Sequence, residues 1–431
     1  MHDVIVIGAG FAGAAAAREV RRAGREPLIV EARDRVGGRT WTADWDGRPY
    51  ERGGNFFHWF QPHAWSEITA AGCTPVMLPD PVRASRLVGG SIRAADLAEH
   101  NALIESAWAK YTADSWRILP LPHDPLSPLN DIARLDGMTI ADRIAELDLT
   151  EDERGVLVAE CEGLASGYAD DAGALSVVRW HALCGHNLMS TQQASGGDIA
   201  IAEGSIAFLQ PILNAAACSV RLNSPVAAIE QAGDRVIVTT RAGGALAARA
   251  VVVTAPLNTL GAIAFEPGLS EAKQAAIALG HAGMGSKAMF RVRGLDETVV
   301  ALADDHPFGW FCTLFEHGGG EQTLVAFGRD GDDVRDGDLD WAQRELARVF
   351  PEAQVLEMSF HDWKADEHSR GTWAIHRPGW YAHHHAAMQE PEGRVILASA
   401  DWANGWAGFV DGALESGKRA GRWAAAISGP R

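Results

Sequence analysis

The sequence predicts an α/β fold with a Rossmann-like dinucleotide-binding domain, on observations contained in its first forty residues. "DVIVI" is an apolar run of the length and β-branched content expected of a buried parallel strand. It enters "GAGFAG", in which Gly8, Gly10 and Gly13 form a GxGxxG pattern. "PLIVEA" then supplies a second apolar run that ends in an acid, Glu31.

Each element has a physical reason. A strand that turns sharply into a helix takes a first glycine at the turn. It takes a second where backbone meets a pyrophosphate and a third where helix packs close to strand. The intervening "FAGAAAAREVRRA" consists of strong helix formers and is stopped by Gly24. The amide dipoles at that helix start favour phosphate charge. Glu31 falls near the interval at which such folds contact a ribose hydroxyl. The GxGxxG spacing recurs near "GMGSKA", Gly283 to Ala288, but after a helical stretch and before a strand-like one. That order is the reverse of a phosphate loop, so a single dinucleotide fingerprint is expected, with no second one for a nicotinamide.

At 431 residues the chain is long enough for two domains. Lysine and arginine number 38 against 56 acids, a net charge of −18, which argues against nucleic-acid partners. Five cysteines without a CxxC pair make a disulfide framework or zinc site unexpected and a reducing compartment natural. The first strand begins at Asp3, and the longest charge-poor run, Ala250 to Phe265, holds Pro256 and Gly261 and is too short for a bilayer. A cytoplasmic protein with no membrane partner is expected. The oligomeric state is open, a homodimer included.

Directly after Glu31 the chain reads "ARDRVGGRT". A glycine pair and Arg39 follow at once, bringing bare backbone and a guanidinium fork suited to phosphate oxygens to the same loop. GxGxxG followed by E-x-R-x-x-x-GGR resembles the flavin-dependent amine oxidases, the monoamine oxidase family. The resemblance implies FAD as cofactor, and an FAD-binding Rossmann-like domain of the monoamine oxidase type with a second α+β substrate domain (mixed sheet plus helices). The cofactor residues it implies are Gly8, Gly10, Gly13, Glu31, Arg33, Gly38 and Arg39, with Gly54 and Asn55 of "GGNFFH". Near the C-terminus "GRVILASADWANGWAGFVDGA" reads as strand, acid, aromatic loop and helix. There Asp401 matches the family acid on the ribityl and phosphate portion, and the helix from Val410 faces the isoalloxazine ring. Val226, in a strand–hairpin–strand stretch, matches an adenine-contacting valine. The likeness divides the chain discontinuously. FAD-binding pieces are 1–72, 195–262 and 391–431; substrate-binding pieces are 73–194, mostly helical, and 263–390, mostly strand.

The chemistry implied by the family rests on three residues. Lys287 matches the lysine that holds a water at flavin N5, and burial there would lower its proton affinity. Trp373 of "GTWAIHRPG" and Phe409 of "GFVDGA" match the two walls of an aromatic cage, which would orient an amine. Thr372 stands where covalently flavinylated relatives carry cysteine, so non-covalent FAD is expected. "GHAGMGSKAMFRVRG", "TLFEHGG" and "FHDWKADEHSRGTWA" are similar to the bacterial 6-hydroxynicotine-oxidising branch. That likeness implies (S)-6-hydroxynicotine or a related nicotine-pathway amine, with O₂ reduced to hydrogen peroxide. Glu162 and Phe315 depart from the polar residues expected there, and with His58 of "FFHWFQPH" they are carried as substrate contacts. No metal is expected: the run His383–His385 lacks an accompanying acid or cysteine cluster. Rival readings are an L-amino-acid oxidase with Arg377 holding the carboxylate, a desaturase or porphyrinogen-type oxidase, and a non-enzymatic binding module on the same scaffold.

Overall fold

In the computed structural model, which describes residues 1–45, 47–88 and 90–429, the strand His2–Ile7 is central to an eight-stranded sheet. Residues 46, 89, 430 and 431 lie outside the described residues, so the last two positions of the third FAD-binding segment do as well. The strand runs parallel to Pro27–Val30 on one side and to Ala245–Val253 on the other, with Val4 opposite Pro27 and Ala250. Val4, Ile5 and Val6 are wholly buried, as parallel strands covered on both faces require. Arg235–Thr240 and Val226–Ala232 continue the sheet antiparallel, and Val395–Leu397 returns to pair with Val251–Val253. Ala264–Glu266 pairs at the edge beside Val226–Ala232, so this sheet extends just beyond residue 262.

The helix Phe11–Arg22 follows the glycine loop, and Gly24 ends the turn after it at φ +74°. Against it lies the C-terminal helix Val410–Ile427, which starts where the sequence places it. The approach is close for a specific reason. A Cβ on Gly417 would sit 2.1 Å from the Ala12 carbonyl oxygen, and one on Gly421 would sit 2.4 Å from that of Ala16. Two glycines one turn apart, facing an alanine-rich helix, set the distance between the two chain ends. Gly417→Val should therefore force the helices apart at a cost of about 1–3 kcal/mol. Calorimetry should show a lower melting temperature, and an unchanged one would mean the contact is not tight.

The second sheet has seven strands, in the order Gln354–Phe360, Ser286–Arg293, Glu321–Gly328, Phe308–Gly318, Val299–Ala303, Arg83–Val88 and Ser91–Ala95. It is mixed: Val299–Ala303 runs parallel to Arg83–Val88 and the other pairings are antiparallel. The segment expected to be mostly helical thus also supplies two strands to this sheet. "GMGSKA" leads from the helix Glu271–Leu279 into the strand Ser286–Arg293, as its context predicts. The helix Glu151–Ala165 begins at a capping box between Thr150 and Glu153. It crosses the Phe308–Gly318 strand, where a Cβ on Gly163 would meet Trp310 at 3.5 Å.

Candidate active site

One long cavity runs from the glycine loop to the second sheet. Its first half is backbone and charge. Gly8 has φ +105°, and a Cβ there would strike the Thr254 hydroxyl at 2.4 Å; on Gly13 it would lie 1.9 Å from the Gly8 carbonyl oxygen. Those two glycines serve the turn and the packing of helix on strand. Gly10 differs, because the nearest protein atom to a Cβ there is 3.6 Å away. The space its missing side chain leaves is therefore part of the cavity itself. The Glu31 carboxylate accepts from the amides of Ala9 at 2.6 Å and Arg33 at 2.9 Å, which fixes the loop against the end of the second strand. Gly37 donates its N–H to the Ala9 carbonyl at 3.0 Å, docking the glycine pair on the same loop.

Gly8, Gly10, Glu31, Arg33, Gly38, Arg39, Gly54, Asn55, Val226 and Val410 all line the cavity. Gly13 lies behind it. Arg33 donates to Asp366 at 2.6 Å and to the Ser369 hydroxyl at 2.8 Å. Arg39 donates to the Thr372 carbonyl at 2.8 Å and pairs with Asp401. Asp401 is wholly buried and does not line the cavity; it also accepts from the Leu257 amide at 2.8 Å. Burial opposes ionisation of this carboxyl most strongly, but the Arg39 charge and hydrogen bond, His281 and the Leu257 amide together hold the group below its usual value. Asp401 thus stands behind Arg39, whereas the sequence suggested a direct cofactor contact. The Asn55 side-chain nitrogen and the Thr372 hydroxyl are buried, line the cavity and have no protein partner among the described residues. A glycine-floored channel with unspent polar groups and an acid at its strand tip fits a dinucleotide.

The other half is aromatic. Trp373 and Phe409 both line it, and no ring contact joins them among the described residues. Trp373 is oriented by an indole N–H donated to the Leu164 carbonyl at 2.8 Å. Phe409 caps the helix Val410–Ile427 and packs edge-on to Trp180 and Trp406. Lys287 reaches this region from its strand, and its ammonium donates to the carbonyls of Glu51 at 2.7 Å and Gly53 at 2.9 Å. Burial lowers its pKa to about 8 against the opposing pull of Glu51.

The lining residues that went unread in the sequence include Trp310, Phe327 and Glu160. Trp310 and Phe327 are cross-strand partners with ring centroids 5.7 Å apart, and Phe327 meets Trp373 edge-on at 5.9 Å. Three expected substrate contacts lie elsewhere. Glu162 is about 200° around the helix from Glu160. It pairs with Arg329 at 3.2 Å and accepts from the Ala169 amide at 3.0 Å. Phe315 is five residues past Trp310 and packs among Tyr50, Met289 and Leu314. His58 is buried against Trp59 and Phe60, and burial lowers its pKa to about 4. Arg377, the candidate carboxylate anchor, is committed to Asp171 at 2.7 and 2.8 Å and does not line the cavity.

A mixed-sheet partner to a dinucleotide domain, with an aromatic chamber at the end of the channel, fits an oxidoreductase of the flavoprotein class. Comparison with known proteins agrees. Residues 11–422 match the family of flavin containing amine oxidoreductases. A pseudooxynicotine dehydrogenase of Pseudomonas sp is 34% identical over 428 residues, covering 97% of this chain and 85% of that one. The (S)-6-hydroxynicotine oxidase of Paenarthrobacter nicotinovorans is 29% identical over 430 residues, covering 96% and 97%. In fold the chain resembles a putrescine oxidase solved with putrescine, at a TM-score of 0.83, 21% identity and 98% coverage of both chains. The chain belongs to the flavin-containing amine oxidoreductases, and its cofactor is FAD. Among the described residues no helix is long and apolar enough to cross a membrane.

Proposed function

We propose that this enzyme oxidises a small heterocyclic amine of the nicotine type, (S)-6-hydroxynicotine or a related pyridine-bearing amine, with O₂ reduced to hydrogen peroxide. The observation that carries this reading is the meeting of Lys287, Trp373 and Phe409 in one chamber at the end of the cofactor channel. The two nicotine-pathway relatives support the substrate class. In this reading the two sheets are the cores of the two discontinuous domains. Gly10, Glu31, Arg33 and Asn55 hold FAD along the channel, and Thr372 leaves it without a covalent link. FAD held there would supply the acceptor for a hydride equivalent from the carbon next to the amine nitrogen.

The protein's own work is orientation and water exclusion. Trp373 and Phe409 flank the amine, and their rings favour one approach of the α-carbon. Trp310 and Phe327 complete the apolar lining, which favours the uncharged amine required for transfer. Lys287 holds a proton-bearing nitrogen at the inner wall, with two backbone carbonyls fixing its direction. An L-amino-acid oxidase is disfavoured because, among the described residues, no arginine lines the chamber beside these aromatics; the lining arginines are Arg33, Arg39 and Arg241, on the nucleotide side. A dehydrogenase passing electrons to an acceptor other than O₂ is the second reading, favoured by the name of the first relative. An oxygen electrode separates them. Stoichiometric O₂ loss and peroxide formation with amine are expected, whereas turnover only with an added dye or protein acceptor would establish the dehydrogenase.

Two further outcomes follow from the site. Trp373→Ala should slow anaerobic reduction by amine roughly a hundredfold, the scale that misplacement costs, while FAD content changes little. Equal rates would make Trp373 a packing residue. Acid precipitation of the native protein should release all of its FAD into the supernatant, and yellow colour left in the pellet would mean a covalent bond.

A further inference from the structure

The aromatic chamber contains a carboxyl group, that of Glu160, with no partner among the described residues. Glu160 lies on the inward face of the helix Glu151–Ala165 and lines the cavity. It is one helical turn from Leu164, whose carbonyl receives the Trp373 indole N–H, and about 5–6 Å separates Cβ atoms at that spacing. The adjoining turn of the helix sits on the strand that carries Trp310, and Trp310, Phe327 and Trp373 form a continuous run of rings beside it. No hydrogen bond or ion pair to Glu160 exists among the described residues, in contrast to Glu162, which has both. Burial alone pushes the Glu160 carboxyl up to about 7. Such a group gains most from a partner that shares its proton, since an unpaired polar group in an apolar chamber is costly.

We propose that Glu160 recognises a second nitrogen base on the substrate, remote from the reacting amine, through one shared proton. This rests on the amine-oxidase reading above and specifies its substrate. The reacting nitrogen sits between Trp373 and Phe409, and the second nitrogen faces the helix. A pyridine-type nitrogen receives a hydrogen bond from the neutral carboxyl. An aliphatic nitrogen takes the proton and pairs with the carboxylate, flanked by aromatic faces that also favour a cation. In both cases the pair contains one proton and no net charge enters the chamber.

The test uses the FAD-loaded enzyme and three probes of similar shape: N-methylbenzylamine, its 3-pyridyl counterpart, and the piperidinyl counterpart with a basic ring nitrogen. Binding is measured anaerobically by titration calorimetry and turnover by flavin reduction. The wild type should favour at least one ring-nitrogen probe over the benzyl probe by about tenfold or more in both. In Glu160→Leu that ratio should fall to near one. Glu160→Gln keeps a hydrogen-bond donor but cannot take up a proton, so it should retain the pyridyl preference and lose the piperidinyl one. The ratio within each protein is the readout, so a general loss of rate in a variant does not mimic the result. A wild-type ratio near one, or a full preference surviving in Glu160→Leu, would overturn the assignment. Preferential binding without flavin reduction by any probe would leave the Glu160 site standing and count against the amine-oxidase reading instead.

Discussion

Gly10→Val should yield a folded, colourless protein. The backbone at Gly10 is extended, at φ −81° and ψ −174°, a conformation that valine adopts readily. A Cβ there has no protein atom nearer than 3.6 Å, so the fold itself does not exclude the side chain. The cavity does, because the added methyls occupy the space in which backbone meets pyrophosphate. FAD affinity should fall by about a hundredfold or more, roughly 3 kcal/mol, while the apoprotein melts close to the wild-type apoprotein. Gly13→Val makes the contrast. Its Cβ would lie 1.9 Å from the Gly8 carbonyl oxygen, so the first helix cannot stay where it is. Destabilisation of about 3 kcal/mol or more is expected even without cofactor. Flavin absorbance per mole of protein and apoprotein melting temperature check both. A yellow Gly10→Val protein would remove the phosphate contact from this loop.

Lys287→Met should separate the two half-reactions. With amine under anaerobic conditions the variant should reduce its flavin at a moderately lower rate. With O₂, the reduced enzyme should reoxidise more slowly by roughly one to three orders of magnitude, the range for a positioned acid–base or electrostatic group. The physical ground is that negative charge develops on O₂ as electrons reach it, and an ammonium in a water-poor chamber stabilises that charge. The pH dependence has a definite sign. Lys287 titrates near 8 in the folded protein, so the ammonium is present below that value and lost above it. Wild-type reoxidation should decline as pH rises through about 8, and the variant should show no such inflection. The Lys287 ammonium also donates to the carbonyls of Glu51 and Gly53, bonds that the variant loses, so FAD content must be measured alongside. Stopped-flow traces showing intact reoxidation and impaired reduction would move Lys287 to substrate binding.

The parts of this site that were legible in sequence are those whose constraint is local. Gly8 is demanded by its own φ of +105° and Gly13 by the Gly8 carbonyl oxygen, both within the first 13 residues, and the helix starts at Phe11 and Val410 follow from glycine and loop punctuation. Lys287, Trp373 and Phe409 were readable only through motif spacing, since nothing local brings three distant segments together. Glu160 was not readable, and Glu162, which does not line the cavity, was named in its place, because the helix carrying both gives no phase. Val156, Leu157, Ala159, Cys161, Glu162 and Ala165 are all buried, so the helix is covered on more than one side and its periodicity does not say which side meets the cavity. Trp310 and Phe327 face it by the register between two antiparallel strands, which a single sequence does not display. The strands Arg83–Val88 and Ser91–Ala95 were missed for a related reason: they are the edge of a sheet whose other strands come 200 residues later.

Anaerobic titration of the purified holoenzyme with (S)-6-hydroxynicotine and a panel of pyridyl and simple amines, followed at the flavin's visible absorbance, tests the central claim most directly. Complete bleaching by one or more of the pyridyl amines, faster than by the simple amines, is the result expected. A flavin that dithionite bleaches but that no amine in the panel reduces would contradict it.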